Sequence, residues 1–103
     1  MLIIVSKSPE GQNLHSVLEI AGAIAEKGER VAILHIQDAC IAVTMDEYLE
    51  KLVEKKIGIY ALKADCEARG LVEKTGKAVK LVDFKQWVKL VMNEHKNVVS
   101  WTS

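Results

Sequence analysis

Apolar residues in this chain gather into short unbroken runs, separated by longer stretches where they recur every three or four positions. The runs are LIIV at 2–5, VAILHI at 31–36, IGIYAL at 57–62 and AVKLV at 78–82, with NVVSW at 97–101 as a fifth, edge candidate. Unbroken runs of this length are the pattern of strands covered on both faces. After the first run, Pro9 and Gly11 interrupt regular structure in SKSPEGQN. Leu14, Val17, Leu18, Ala21, Ile24 and Ala25 then fall on one helical face, with Asn13 as cap and Gly28 as stop. The stretch after the second run reads as a loop entering helical sequence, broken near Thr44 and restarted at Asp46. Its restarted part carries Met45, Tyr48, Leu49 and Leu52 as an apolar stripe, with Glu47, Glu50, Lys51 and Glu54 outside. KADCEARG is a short helix ending at Gly70. Asp83 caps a last helix with Phe84, Trp87, Val88, Val91 and Met92 on one face and Lys85 and Lys89 on the other.

Strands alternating with helices imply parallel neighbours joined by right-handed crossovers. The expected fold class is therefore α/β: a small three-layer sandwich with a mainly parallel four- or five-stranded sheet and helices on both faces. The 103 residues suit one domain over 1–103, large enough to sustain a core without staples. In such folds, sites gather beyond the carboxyl ends of the strands. Those ends are the loops that begin near Ser6, Gln37 and Leu62.

Charge narrows the function. Fourteen Lys and Arg balance fourteen Asp and Glu, whereas a domain that grips nucleic acid directly is usually strongly basic. Direct RNA binding is not expected, and association with other subunits meets little electrostatic resistance. The apolar start MLIIV is too short for a signal segment or a membrane span, so a cytoplasmic protein without membrane association is expected. The two cysteines form no CxxC, and His15, His35 and His95 show no ligand spacing with them, so neither metal nor cofactor is expected. His35, within the second strand, reads as a core or interface residue, and His95 as a residue near a helix C-terminus.

The candidate chemistry sits on two thiols. Cys40 lies where the second strand gives way to helical sequence, and Cys66 near the start of the helix after the third. A helix N-terminus favours a thiolate, but CIAV is an apolar run and Asp65 and Glu67 flank Cys66, so both thiols read first as packing residues. Asp38 and Asp65 near strand ends are either docking groups or helix caps. Arg69, before Gly70, is free to bond a carboxylate or loop carbonyls. Trp101 is a candidate subunit anchor.

IYALKADCEARGL resembles the strand-and-helix signature of the DsrH/TusB family. SKSP after the first strand, QDA after the second, LVDFKQWVKL with its Asp-aromatic start and the terminal VVSW resemble the same pattern in order. The resemblance implies a subunit of a sulfur-relay complex that passes persulfide sulfur between proteins, linked to tRNA wobble-uridine 2-thiolation or to sulfur oxidation. It implies DsrE/DsrF (TusD/TusC)-like partner subunits, a downstream sulfur acceptor, and a homo- or hetero-oligomer. Where related DsrE/TusD subunits carry their sulfur cysteine this chain has Leu62, and where some DsrH members have a first-helix cysteine it has Val17 and Leu18. The role implied is mainly structural docking, with Cys40 and then Cys66 as the thiols that remain to carry sulfur. The rival readings are a small ligand- or nucleotide-binding α/β domain, which lacks a P-loop or GxGxxG, and a thiol oxidoreductase, which lacks paired cysteines.

Overall fold

A computed structural model describes residues 1–8, 13–94 and 97–101. Five strands form one all-parallel sheet: β1 (Leu2–Val5), β2 (Ala32–His35), β3 (Gly58–Leu62), β4 (Lys80–Val82) and β5 (Val98–Trp101), in the order β4-β3-β2-β1-β5. The edge assignment of the last strand holds, and β5 pairs with β1 from Leu2↔Val98 to Val5↔Trp101. β4 is shorter than the apolar run that announces it, because a turn closed by Val79 N–H to the Gly76 carbonyl oxygen delays its start.

The order of the strands sets where the helices go. From β1 to β4 the chain steps along the sheet in one direction, so right-handed crossovers place every connection on one face. That face holds α1 (Asn13–Glu26), a 3₁₀ helix (Gln37–Thr44), α2 (Asp46–Glu54) and α3 (Lys63–Ala68). The last connection runs back across the whole sheet to β5. It therefore lands on the opposite face, as α4 (Phe84–Lys89) continuing into a π-helical segment (Leu90–Glu94). Side chains alternate along each strand accordingly. Ile3, Val5, Ile33, Ile59 and Ala61 join Val17, Ala21, Val43, Tyr48, Leu49 and Leu52 in the larger core. Leu2, Ile4, Ala32, Leu34 and Val82 join Leu90, Trp87 and Val91 in the smaller one.

Local signals account for the boundaries. Gly28 and Gly70 both adopt left-handed backbone, at φ 88° and 66°, where they end α1 and α3. Asp83 caps α4 through a reciprocal box: its carboxylate accepts from Gln86 N–H at 2.7 Å, and the Gln86 side chain accepts from Asp83 N–H at 2.9 Å. The Asn13 side chain, His95, Pro9 and Gly11 lie outside the described residues. The apolar stripe expected for α4 divides. Trp87, Leu90 and Val91 pack on the sheet, while Phe84, Val88 and Met92 stand 67%, 44% and 74% exposed.

Among the described residues, one polar side chain is buried outright, against the larger core. His35, at the end of β2, is fully enclosed. Its Nδ1 lies 2.8 Å from the Tyr60 carbonyl oxygen and its Nε2 lies 2.7 Å from the Tyr48 hydroxyl. A carbonyl only accepts, so Nδ1 carries the proton and Nε2 accepts from Tyr48. The ring is neutral and satisfied at both nitrogens, and it ties β2 to β3 and to α2. Burial lowers its pKa from 6.5 to about 4, against a smaller opposing effect of the Tyr60 carbonyl.

Two stability effects follow from these contacts. Between pH 6.5 and 4 the unfolded chain binds a proton at His35 that the folded chain refuses, so stability is full above pH 6.5 and falls as pH drops through this window. The loss amounts to about 3 kcal/mol, read by urea unfolding at pH 7.5 and 4.5, and His35→Leu removes that share of the pH dependence. Tyr48→Phe leaves Nε2 without its donor and lowers stability by about 1–3 kcal/mol at neutral pH. At the C-terminus of α2, Lys56 N–H and Ile57 N–H close a Schellman turn on the Val53 and Leu52 carbonyls, with Lys56 at φ 59°. Lys56→Gly relieves that backbone and raises stability by roughly 0.5–1 kcal/mol in the same assay.

Candidate functional site

The carboxyl ends of β2 and β3 are held by a polar clamp. β2 ends at His35, and two residues later Gln37 takes left-handed backbone, at φ 50°. A non-glycine residue there is strained. Its N–H is met by the Asp65 carboxylate at 2.7 Å, a charge-assisted bond that offsets the strain. Next to it, the Asp38 carboxylate accepts from Arg69 Nε at 3.2 Å and from Nη2 at 3.0 Å, both bonds falling on one oxygen. Arg69 Nη1 also donates to the Asp65 carbonyl oxygen at 3.2 Å. Asp38, Asp65 and Arg69, each singled out from the sequence, thus form one network that joins the 3₁₀ helix to α3. Asp38 remains well exposed, so the ion pair is worth at most about 1 kcal/mol and weakens with salt.

Beneath the clamp the two cysteines meet. His35 and Ala61 are partners in the β2–β3 register, and Cys40 and Cys66 each follow their strand residue by five positions. Parallel strands with equal offsets deliver the thiols to the same place, a juxtaposition not drawn from either cysteine's own neighbours in the sequence. Both are free, fully buried thiols in the larger core. Cys40 donates to the His35 carbonyl oxygen at 3.5 Å and has the Cys66 sulfur as its other polar neighbour. Burial pushes the Cys40 thiol strongly up, Cys66 and the Asp65 carboxylate add to this, and Arg69 opposes it. Burial also raises Cys66, and the Asp65 carboxylate adds to this, while the neighbouring Cys40 and the charge of Arg69 pull the other way. In this arrangement both sulfurs are protonated at neutral pH, and neither meets solvent.

Trp101 falls within β5, whose backbone pairs with Val5, and its side chain lies outside the described residues. One surface groove, of about 440 Å³, borders the clamp and is lined by Glu67, Gly70, Val72, Glu73 and Lys74; others lie away from it, one of about 370 Å³ beside α2 and an apolar notch of about 230 Å³ on α4. Among the described residues no three His, Cys, Asp or Glu side chains are grouped to hold a metal ion. No helix among them is long and apolar enough to cross a membrane.

Asp65 and Arg69 of the clamp lie close enough to the thiols to act on them electrostatically, so thiol labelling reports how firmly the clamp holds. Native Cys40 and Cys66 are expected to resist a small aromatic disulfide reagent at pH 8 over times in which urea-unfolded chain reacts fully. Asp65→Ala removes the bond to Gln37 and one of the negative charges beside the sulfurs. It accelerates native labelling about tenfold, the effect of easing local opening by about 1.4 kcal/mol. Labelling of the unaltered protein at the unfolded rate would show that the thiols are not held as described.

Comparison with known proteins places this architecture. A family model described as DsrH like protein matches residues 7–97. Protein TusB of Pectobacterium atrosepticum is 30% identical over 98% of this chain and all of the relative. Protein TusB of Photorhabdus laumondii is 37% identical over 62% of this chain and 68% of its own. Among solved structures, the ychN protein from E. coli superposes with a TM-score of 0.80 at 17% identity, covering 97% of each chain. A conserved protein of unknown function from Bacteroides thetaiotaomicron gives 0.76 at 15% identity, covering 97% of this chain and 93% of the other. These two share the fold, as an all-parallel five-stranded α/β sheet. With the family model spanning nearly the whole chain and TusB proteins aligning along it, this protein belongs to the DsrH-like family.

Proposed function

We propose that this chain is a docking subunit of a cytoplasmic sulfur-relay assembly, built with DsrE/DsrF (TusD/TusC)-like subunits and feeding a downstream sulfur-acceptor protein. The observation that carries the reading is the family match over residues 7–97, together with relatives named TusB. The destination of the sulfur is thiolation of a tRNA wobble uridine, or sulfur oxidation. The balanced charge supports a chain that meets proteins rather than nucleic acid.

The chemistry of relay supports docking over carriage. A carrier thiolate attacks the outer sulfur of a donor persulfide. The new S–S bond forms as the donor S–S bond breaks, and the donor leaves as a thiolate. That step needs an exposed, deprotonated sulfur. Cys40 and Cys66 are enclosed and held as thiols, and the position where related subunits carry the cysteine is Leu62. In this reading the travelling sulfur resides on a partner's cysteine. The contribution of this chain is a strand-end surface kept rigid by Asp38, Asp65 and Arg69.

Co-purification with the related subunits, followed by a persulfide donor and peptide mapping, tests the proposal. A stable complex is expected, with the mass gain of one sulfur atom on a partner cysteine and not on Cys40 or Cys66. Cys40→Ala and Cys66→Ala are expected to leave the transfer rate within about twofold of the unaltered complex. A chain that associates with none of the related subunits overturns the role in the assembly. Sulfur on Cys40 that disappears in Cys40→Ala overturns the docking role and makes this chain a carrier.

A further inference from the structure

Where α4 crosses the β4 edge of the sheet, hydrogen-bond donors converge. Tyr60 and Lys80 are partners in the β3–β4 register, and Tyr60 packs with the smaller core. Partners in register share a face, so both side chains stand on the α4 side of the sheet. Gln86 and Lys89, three residues apart on α4, are neighbours on one side of that helix. These four side chains line a cleft of about 160 Å³, and the buried Val82 and Leu90 complete its wall. Gly58 leaves room for the arrangement. A Cβ there would come within 3.3 Å of Tyr60 Cε2 and 3.2 Å of Ala32 Cβ, so the missing side chain lets the Tyr60 ring lean along its own strand.

The chemistry of the lining is one-sided. Lys80 and Lys89 each bring an ammonium group with three donors and no acceptor. Neither takes part in an ion pair among the described residues. The Gln86 side-chain carbonyl is already committed to Asp83 N–H at 2.9 Å, which leaves its NH₂ group to donate. The Tyr60 hydroxyl takes part in no hydrogen bond among the described residues. No carboxylate lies among the described residues of the lining. Two ammonium groups facing one small space repel each other, and an anion between them turns that repulsion into attraction. The volume corresponds to roughly five waters, below the range of about 300–1,000 Å³ that encloses whole organic ligands.

From this donor-only lining we propose that the cleft binds a phosphate-sized oxyanion between Lys80 and Lys89, with the Tyr60 hydroxyl and the Gln86 amide donating to its remaining oxygens. Charge-assisted bonds from the two ammonium groups supply most of the affinity, and binding weakens as salt rises. The ligand is phosphate, as the free ion or as the terminal group of a small monoester. The site lies on the opposite face of the sheet from both thiols. It stands apart from the sulfur-relay role, requires none of its partners, and its loss leaves that role untouched.

Amide NMR of the isotope-labelled chain, titrated with sodium phosphate and with sodium chloride at matched ionic strength, tests the site. Phosphate is expected to give saturable shifts centred on Lys80, Gln86 and Lys89, and chloride to give none that saturate. Lys80→Gln/Lys89→Gln is expected to weaken phosphate binding at least about tenfold, and Tyr60→Phe about two- to tenfold. Lys80→Arg/Lys89→Arg is expected to retain it, which separates lost charge from disturbed folding. Both lysines are exposed, so the free variants are expected to keep the dispersed spectrum of the unaltered chain. Glycerol phosphate binding as tightly as phosphate supports a site for a terminal phosphate group, and phosphate binding alone supports a site for the free ion. Shifts that never saturate, that chloride reproduces, or that persist in Lys80→Gln/Lys89→Gln overturn the proposal.

Discussion

The handedness of crossovers between parallel strands is the constraint on which the rest of this structure depends. Three successive steps in one direction crowd α1, the 3₁₀ helix, α2 and α3 onto a single face of the sheet. The return step to β5 leaves one short helix for the whole of the other face. The first face consequently closes into a dry core large enough to enclose both cysteines and a histidine. The second remains thinly covered, and α4 wears part of its apolar surface outward because no further element among the described residues buries it.

The same parallel arrangement sends all the strand ends to one edge, where this fold gathers its polar network. At that edge a strained Gln37, two carboxylates and one guanidinium lock two helices together above two thiols. Protonated, enclosed sulfur is poorly suited to nucleophilic attack, while a rigid strand-end surface suits a protein that orients others. That contrast is the physical ground for the docking role proposed above.

His35 links these levels. It sits at the end of β2, satisfies both ring nitrogens inside the core and offers its backbone carbonyl to Cys40. A buried polar group of this kind is costly when any partner is lost and specific when all are present. It fixes the approach of α2 to the sheet.

The sequence by itself determined the elements, because strands buried on both faces are written as unbroken apolar runs and helices as a three-and-four spacing. Thus the break at Thr44, the restart at Asp46, the Asp83 cap and the glycine stops are all legible in the chain, as is the edge character of the last strand. The family signature was legible too, since it rests on short motifs in order. Only the tertiary structure decided what lies beside what. Lys56 closing a Schellman turn carries no glycine to announce it. Cys40 and Cys66 look unrelated until the β2–β3 register brings them together. Asp38 stands far in sequence from Asp65 and Arg69, and the three become one clamp. Phe84, Val88 and Met92 share a helical stripe with Trp87, yet the sheet accepts only the inner edge of that stripe. Periodicity reports which residues share a face, whereas burial depends on the area of the opposing surface, and that area is a property of the assembled fold.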